Sequence, residues 1–588
     1  MFDRRTLIAF AVVALILILL PKYMQWVNPP RPVPVTTEAP KTPPADTTTT
    51  AAAPSAPVKA PADTVATTMQ PKTEPGVISP DTAQPVPGYV TVETPLFDMA
   101  IGSNAQVTRY NLKKYHVTTG QPVALHQPPT QVSPAIGAVD FDFGDANPHT
   151  LKNLRFKASK TTLNIGEGGA DSVVFTAGDS VGQQIRLTYI IRGDKYGFDL
   201  ALRTEKLAVP ETGEFHVLWK GGVPVTEPDP ARDIQYAGAY AKVGDEVVTV
   251  KAGKDPKKEF TQTGSTGFVA VRSKYFIAAV IPNLPAAGTE IVGRNAAPKD
   301  KTSLPSYDAT LRETWGKNAL GYWTVYWGPM KYENLKALNA GVEETMNWGW
   351  AIIKPISRLI LKALVGLHSV ISNYGIVIII FAIFIKLLLW PLTRKSQISM
   401  KKMSALQPEI QELRETHKNN PQAMNAAIMR LYKERGINPA SGCLMLLPQM
   451  PVLYALYAIF SSTIEFRQAP FFGWIKDLAQ PDIVAQLPFS IPLYGAHVTI
   501  LPLIMGVTQF FMAKRTATDP NQKAMIYLMP VMMMLIFNNL PSGLTLYYTL
   551  FNLLAIVEQN FIKVPDFTPS VQVIEEKSQK AKKPKSQN

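Results

Sequence analysis

Five apolar segments crowd the second half of the chain, at Tyr374 to Leu392, Ser441 to Ser461, Val498 to Met512, Ala524 to Leu540 and Ser542 to Ile562. A segment of about 20 such residues matches the hydrocarbon thickness of a bilayer. Inside hydrocarbon a backbone N–H or C=O finds no water, so each segment must close its own hydrogen bonds as a helix. A sixth run, Leu7 to Leu20, stands behind Arg4 and Arg5. No A-x-A cleavage pattern follows it, whereas Pro21, Lys22, Tyr23 and Trp26 form an interfacial set that completes a span. Residues 1–27 are therefore expected to be a retained anchor, and the chain a membrane α-helical bundle with six transmembrane helices.

The first half reads differently. Residues 28–87 are dominated by Pro, Thr and Ala, with almost nothing large and apolar to bury, and are expected to be a disordered tether. Residues 88–340 change to a period of two. Ile185, Leu187, Tyr189 and Ile191 alternate with Arg186, Thr188 and Ile190, and Phe198, Leu200 and Leu202 resume after a Gly193 to Gly197 turn. Such strands, broken by Gly and Pro turns, predict one large antiparallel β-sandwich without a catalytic constellation. Residues 341–372 carry Lys354, Arg358 and Lys362 on one side and Ile353, Ile356, Ile360, Leu364 and Leu367 on the other, which predicts an amphipathic helix in the interface plane.

Charge gives the orientation. The loop 394–440 holds nine Lys and Arg, from Arg394 to Arg435, and the tail 563–588 ends in Lys577, Lys580, Lys582, Lys583 and Lys585; the loop from Thr463 to His497 holds only Arg467 and Lys476. By the positive-inside rule both termini are cytoplasmic and the β domain is outside, in the periplasm of a bacterium. Within 394–440, Met403, Leu406, Ile410 and Leu413, then Asn420-Pro421, then Met424, Ile428 and Leu431, predict a helical hairpin. Its basic excess suits anionic lipid, RNA or incoming polypeptide.

Lys386 interrupts the apolar run of the second predicted span. A cation there costs at least about 2.5 kcal/mol, so it should face water or a partner. The acidic candidate in the spans is Glu558, placed near the cytoplasmic end of the last one. Gln449, Thr508, Gln509, Thr545, Tyr548, Thr549 and Asn552 add polar positions, which together suggest a hydrated cavity. Met525, Met529, Met532 and Met533, at i, i+4, i+7 and i+8, suggest an adaptable apolar slide. A secondary transporter with a cationic intramembrane site is the alternative reading. One Cys excludes an internal disulfide framework, and seven scattered His without metal spacing argue against zinc. With no GxxxxGK[ST] loop, neither nucleotide hydrolysis nor any cofactor is expected.

Trp390-Pro391-Leu392-Thr393, Leu447-Pro448-Gln449-Met450-Pro451, Phe466-Arg467-Gln468-Ala469-Pro470-Phe471 and Pro541-Ser542-Gly543-Leu544 with Tyr547-Tyr548 closely resemble the YidC/Oxa/Alb family of membrane protein insertases, in its Gram-negative form. The resemblance implies an insertase and chaperone of the inner membrane, not an enzyme. Residues 373–562 would form its five-helix core with a groove open to cytoplasm and lipid, and the outer domain would be a periplasmic all-β supersandwich. It further implies nascent integral membrane proteins as clients, and contacts with the Sec translocon and its accessory proteins. Ribosomes would bind through the basic tail and hairpin. The family places a cation, usually Arg, at the position of Lys386, and an aromatic substrate contact at Tyr548, with Tyr547 beside it.

Overall fold

Side chains alternating in and out at a period of two become strands wherever one face can be buried. In the strand Gln184–Arg192, Ile185, Leu187, Tyr189 and Ile191 are buried. It pairs antiparallel with Phe198–Glu205, Leu187 opposite Leu202. The turn between them needs Gly197, whose φ is +91° and whose Cβ would collide with the Val325 carbonyl oxygen. The computed structural model describes residues 89–128, 136–143, 154–178, 182–207, 213–253, 255–298, 300, 303–315, 320–438, 447–491, 494–516 and 523–562. The expected anchor, tether and basic tail lie outside the described residues.

The strands form a five-stranded and a thirteen-stranded sheet. The smaller runs in the order Pro122–Ala124, Val107–His116, Phe97–Ile101, Val90–Glu93, Thr162–Asn164. The pairing is not antiparallel throughout, as the sequence suggested: Thr162–Asn164 lies parallel to Val90–Glu93. Between them the chain visits the large sheet at Ala138–Asp142, and an excursion of that length lets a strand return in the same direction. Tyr110 joins the two sheets. Its ring stacks on Trp327 at 4.4 Å, its hydroxyl donates to the Trp327 carbonyl at 2.9 Å, and Gly197 N–H donates to it at 2.9 Å.

From Lys354 onward the described residues form eight α-helices: α1 (Lys354–His368), α2 (Tyr374–Ala405), α3 (Gln407–Thr416), α4 (Pro421–Glu434), α5 (Gln449–Ser462), α6 (Leu501–Thr516), α7 (Lys523–Phe537) and α8 (Ser542–Phe561). α8 packs on α2 and α6, α6 on α7, and α1 on α5 and α2. Phe384, Leu387 and Leu388 of α2, Leu528 of α7 and Phe561 of α8 remain exposed, an apolar surface too large for a water-facing one. Among the described residues, α2 alone is both long and apolar enough to cross a bilayer by itself. α5, α7 and α8 are shorter than the apolar runs from which they were expected, and α6 is shifted three residues along its run. α5 starts at Gln449, after Pro448, and Val498 belongs to a strand paired with Ile483–Ile491; α7 stops at Phe537, before Asn538-Asn539-Leu540-Pro541.

α1 is the amphipathic helix expected within 341–372. Two of its three basic side chains are engaged by protein, while Lys362 is exposed. Lys354 and Arg358 pair with Glu344, Arg358 at 2.6 Å, and Arg358 lies 5.4 Å from the Trp348 ring. Ile360, Leu361 and Leu364 are buried on the same helix, so both faces are partly used against protein.

Candidate functional site

Two anchored helices set the geometry of the helical region. Asn373 caps α2, accepting from Gly375 N–H at 2.8 Å, while its own amide donates to the Phe471 carbonyl at 3.3 Å. At the start of α8, Ser542 N–H donates to Gln480 O at 2.8 Å and its hydroxyl to Asp477 O at 2.9 Å. Both helices therefore begin on the segment 463–482 and run away from it together.

That segment is clamped to the β domain. Arg467 Nε meets Glu227 Oε1 at 2.7 Å with each side chain only 3% exposed, and the guanidinium lies over Tyr275 and Phe276. Asp233 accepts from Thr226 N–H at 3.0 Å and Lys274 N–H at 2.6 Å, and Gln468 donates to His116 O at 2.9 Å. Nothing in the sequence announces a pair 240 positions apart; the sequence reading counted Arg467 as a loop charge and as part of a family motif, without a partner.

Burial pushes the Glu465 carboxyl up to about 7 and that of Asp477 up to about 6. Both prefer the neutral form when folded, whereas in the unfolded chain they ionise near 4.5 and 3.8. Between those values the unfolded chain sheds protons that the folded chain keeps, so their contribution is full at low pH and is lost as pH rises to about 7. Unfolding of the detergent-solubilised protein should accordingly be easier at pH 8 than at pH 5, and Glu465→Gln should flatten the difference. An unchanged pH dependence in that variant would remove Glu465 as the cause.

Lys386 is buried on α2. Its Nζ stands 2.7 Å from Glu558 Oε2 on α8, both side chains 8% exposed, and 4.3 Å from the centre of the Phe551 ring. Thr393 Oγ1 lies 3.4 Å from Glu558 Oε1 as a donor. The sequence reading named Glu558 as the acidic candidate, near the cytoplasmic end of its span, without pairing it to Lys386. At about 1.5 Å per residue, Lys386 sits ~18 Å from the start of α2 and Glu558 ~24 Å from the start of α8. The ~6 Å difference is the reach of a lysine stem. Only the parallel run of the two helices reveals it.

The other expected residues divide into groups. Asn552 Nδ2 contacts Thr508 Oγ1 at 3.5 Å across α8 and α6, with Gln509 buried one position on. Thr545 and Thr549 are buried, and their hydroxyls donate to carbonyls of their own turn, Pro541 at 3.2 Å and Thr545 at 2.8 Å. Tyr547 is fully buried near Phe381, and Tyr548 packs on Phe537. Gln449 is buried at the start of α5. Of the methionine stripe, Met529 and Met532 are exposed and Met533 is half-buried; the Met525 side chain lies outside the described residues. Further along α2 and α8, a cavity of about 350 Å³ is lined by Gln397, Lys401, Ser404, Arg515 and Gln559. The amide of Gln397 and Nε2 of Gln559 are buried there without hydrogen-bond partners.

Two family descriptions match the chain: "YidC periplasmic domain" over residues 89–361 and "60Kd inner membrane protein" over residues 366–569. The boundary between them falls within α1. A "Membrane protein insertase YidC" of Chlorobaculum parvum is 34% identical over 581 residues, covering 95% of this chain and 94% of that protein. One of Chlorobium luteolum is 39% identical over 390 residues, covering 65% and 66%. Among solved structures, "Active YidC insertase crystal structure with the first transmembrane domain resolved" aligns with 18% identity and a TM-score of 0.34, over 82% of this chain and 93% of that one. With a β-rich unit matching the periplasmic description, a helical region matching the inner-membrane one, and near full-length identity to curated relatives, the chain belongs to the YidC family of membrane protein insertases.

Proposed function

We propose that the protein inserts integral membrane proteins into the bacterial inner membrane and assists their folding, alone or with the Sec translocon, and is not an enzyme. Six spans carry it across the bilayer, with both termini cytoplasmic and the β domain periplasmic. A client's polar tail enters a hydrated groove among α2, α5, α6, α7 and α8 from the end remote from the β domain. Lys386 and its polar neighbours hold the tail briefly, and the client's apolar segment slides along the methionine face into lipid. No nucleotide is hydrolysed. Transferring about 20 apolar residues into lipid is downhill by several kcal/mol, enough to carry a short polar tail. Ribosomes meet the basic tail and the α3–α4 hairpin, and anionic lipids the same positive surface.

The observation that carries this reading is a cation buried in the otherwise apolar stretch Ile376 to Leu392 of α2, which also bears the exposed apolar side chains Phe384, Leu387 and Leu388. A residue so costly to bury marks a functional position. The test uses proteoliposomes containing only this protein and a short single-span client with an acidic tail. Wild type should protect the tail from external protease, and Lys386→Ala should cut that protection by about tenfold, the worth of one charge-assisted contact. Protection no better than in empty liposomes would sink the reading.

A further inference from the structure

The cation in the helical region is already neutralised from within. Lys386 and Glu558 form one ion pair on two helices that start together on the segment 463–482 and run in the same direction. Because Glu558 lies ~6 Å further along its helix, the Lys386 stem points away from the β domain and its ammonium ends on the carboxylate. Beyond the pair, Gln397 and Lys401 lie eleven and fifteen positions after Lys386, on the same face of α2. They open on the 350 Å³ cavity with Arg515 and Gln559. Along the two helices the order from that cavity towards the β domain is therefore the basic residues, with the Lys401 ammonium held by the Gln559 and Ile562 carbonyls, then Glu558, then Lys386.

A buried pair of this kind is held by the mutual need of its charges rather than by a large net gain, so a second carboxylate can exchange into it. Glu558 is not locked from its other side: its neighbour there is the Thr393 hydroxyl at the long distance of 3.4 Å.

We infer that Glu558 is a displaceable counter-ion that sets the charge preference of the insertion site, occupying Lys386 until a carboxylate of the client's tail takes its place. The inference rests on the insertase reading. In the resting protein the site is neutral, so tails without charge cross without stranding a bare ammonium. Acidic tails pay for their contact with Lys386 by displacing Glu558, and basic tails are met by a carboxylate.

Three single-span clients, identical except for two Asp, two Asn or two Lys in the tail, would be inserted into proteoliposomes by wild type, Glu558→Gln, Glu558→Asp and the double variant Lys386→Gln/Glu558→Gln. In Glu558→Gln the ratio of Asp-tail to Asn-tail insertion should rise by about tenfold, because the contact with Lys386 no longer has a competitor. Lys-tail insertion should fall relative to Asn-tail insertion. Glu558→Asp keeps the charge and should hold the ratios nearer wild type, and the double variant should show no dependence on tail charge. A purely structural Glu558 would lower all three clients together; ratios unchanged in Glu558→Gln would overturn the inference. If wild type inserts none of the clients, the insertase reading itself fails, which is a distinct result.

Discussion

Truncating Arg467 to Ala is expected to destabilise the protein by about 3–5 kcal/mol, because it leaves Glu227 charged and buried without its partner. The pair is 3% exposed on both sides, so water cannot take the place of the guanidinium. The planar group also covers Tyr275 and Phe276, and that contact goes with it. Differential unfolding in detergent, followed by tryptophan fluorescence, measures the loss. The double variant Arg467→Met/Glu227→Leu should recover most of it, since apolar residues of similar volume remove the stranded charge as well as the pair. A single truncation costing under about 1 kcal/mol would mean that the pair is solvated like a surface one.

Lys386→Ala should also cost about 3–5 kcal/mol, and for the same reason: Glu558 is left ionisable among α2 and α8 with only Thr393 beside it. Adding Glu558→Gln should return most of that stability. The comparison matters for function, because an insertion defect in Lys386→Ala alone mixes the loss of a client contact with a loosened helix pair. Measured in the double variant, the defect reports the contact. Equal stability of the single and double variants would show that the two residues do not need each other.

The legible parts of this chain are those that repeat locally. A period of two marks Gln184–Arg192 and Phe198–Glu205, and Asn420-Pro421 marks a helix start, where Asn420 accepts from Ala423 N–H at 3.0 Å. Apolar runs locate the helices but not their ends: α5 starts only after Pro448, the strand at Gly495–Thr499 delays α6 to Leu501, and α2 runs on to Ala405, well past its apolar run. What the sequence hides are meetings between distant segments. Glu227 with Arg467 and Tyr110 with Trp327 have no spacing signal, and the parallel strand Thr162–Asn164 depends on a route the chain takes through another sheet. Lys386 is conspicuous because it interrupts hydrophobicity; Glu558 looks ordinary until the direction of α8 beside α2 is known.

The α3–α4 hairpin has a core of its own. Leu406, Ile410, Leu431 and Ile437 form a cluster separate from the main one, and Glu409 and Arg435 pair beside it at 3.1 Å. Four buried aliphatic side chains and helices of 10 and 14 residues are too little to protect a unit for long. The hairpin can thus melt and re-form while α2 and α8 stay intact, which gives the molecule two tiers of cooperativity. Each opening frees two amphipathic faces that are joined by that small cluster and the Glu409–Arg435 pair, so another amphipathic helix of similar pattern can compete for them.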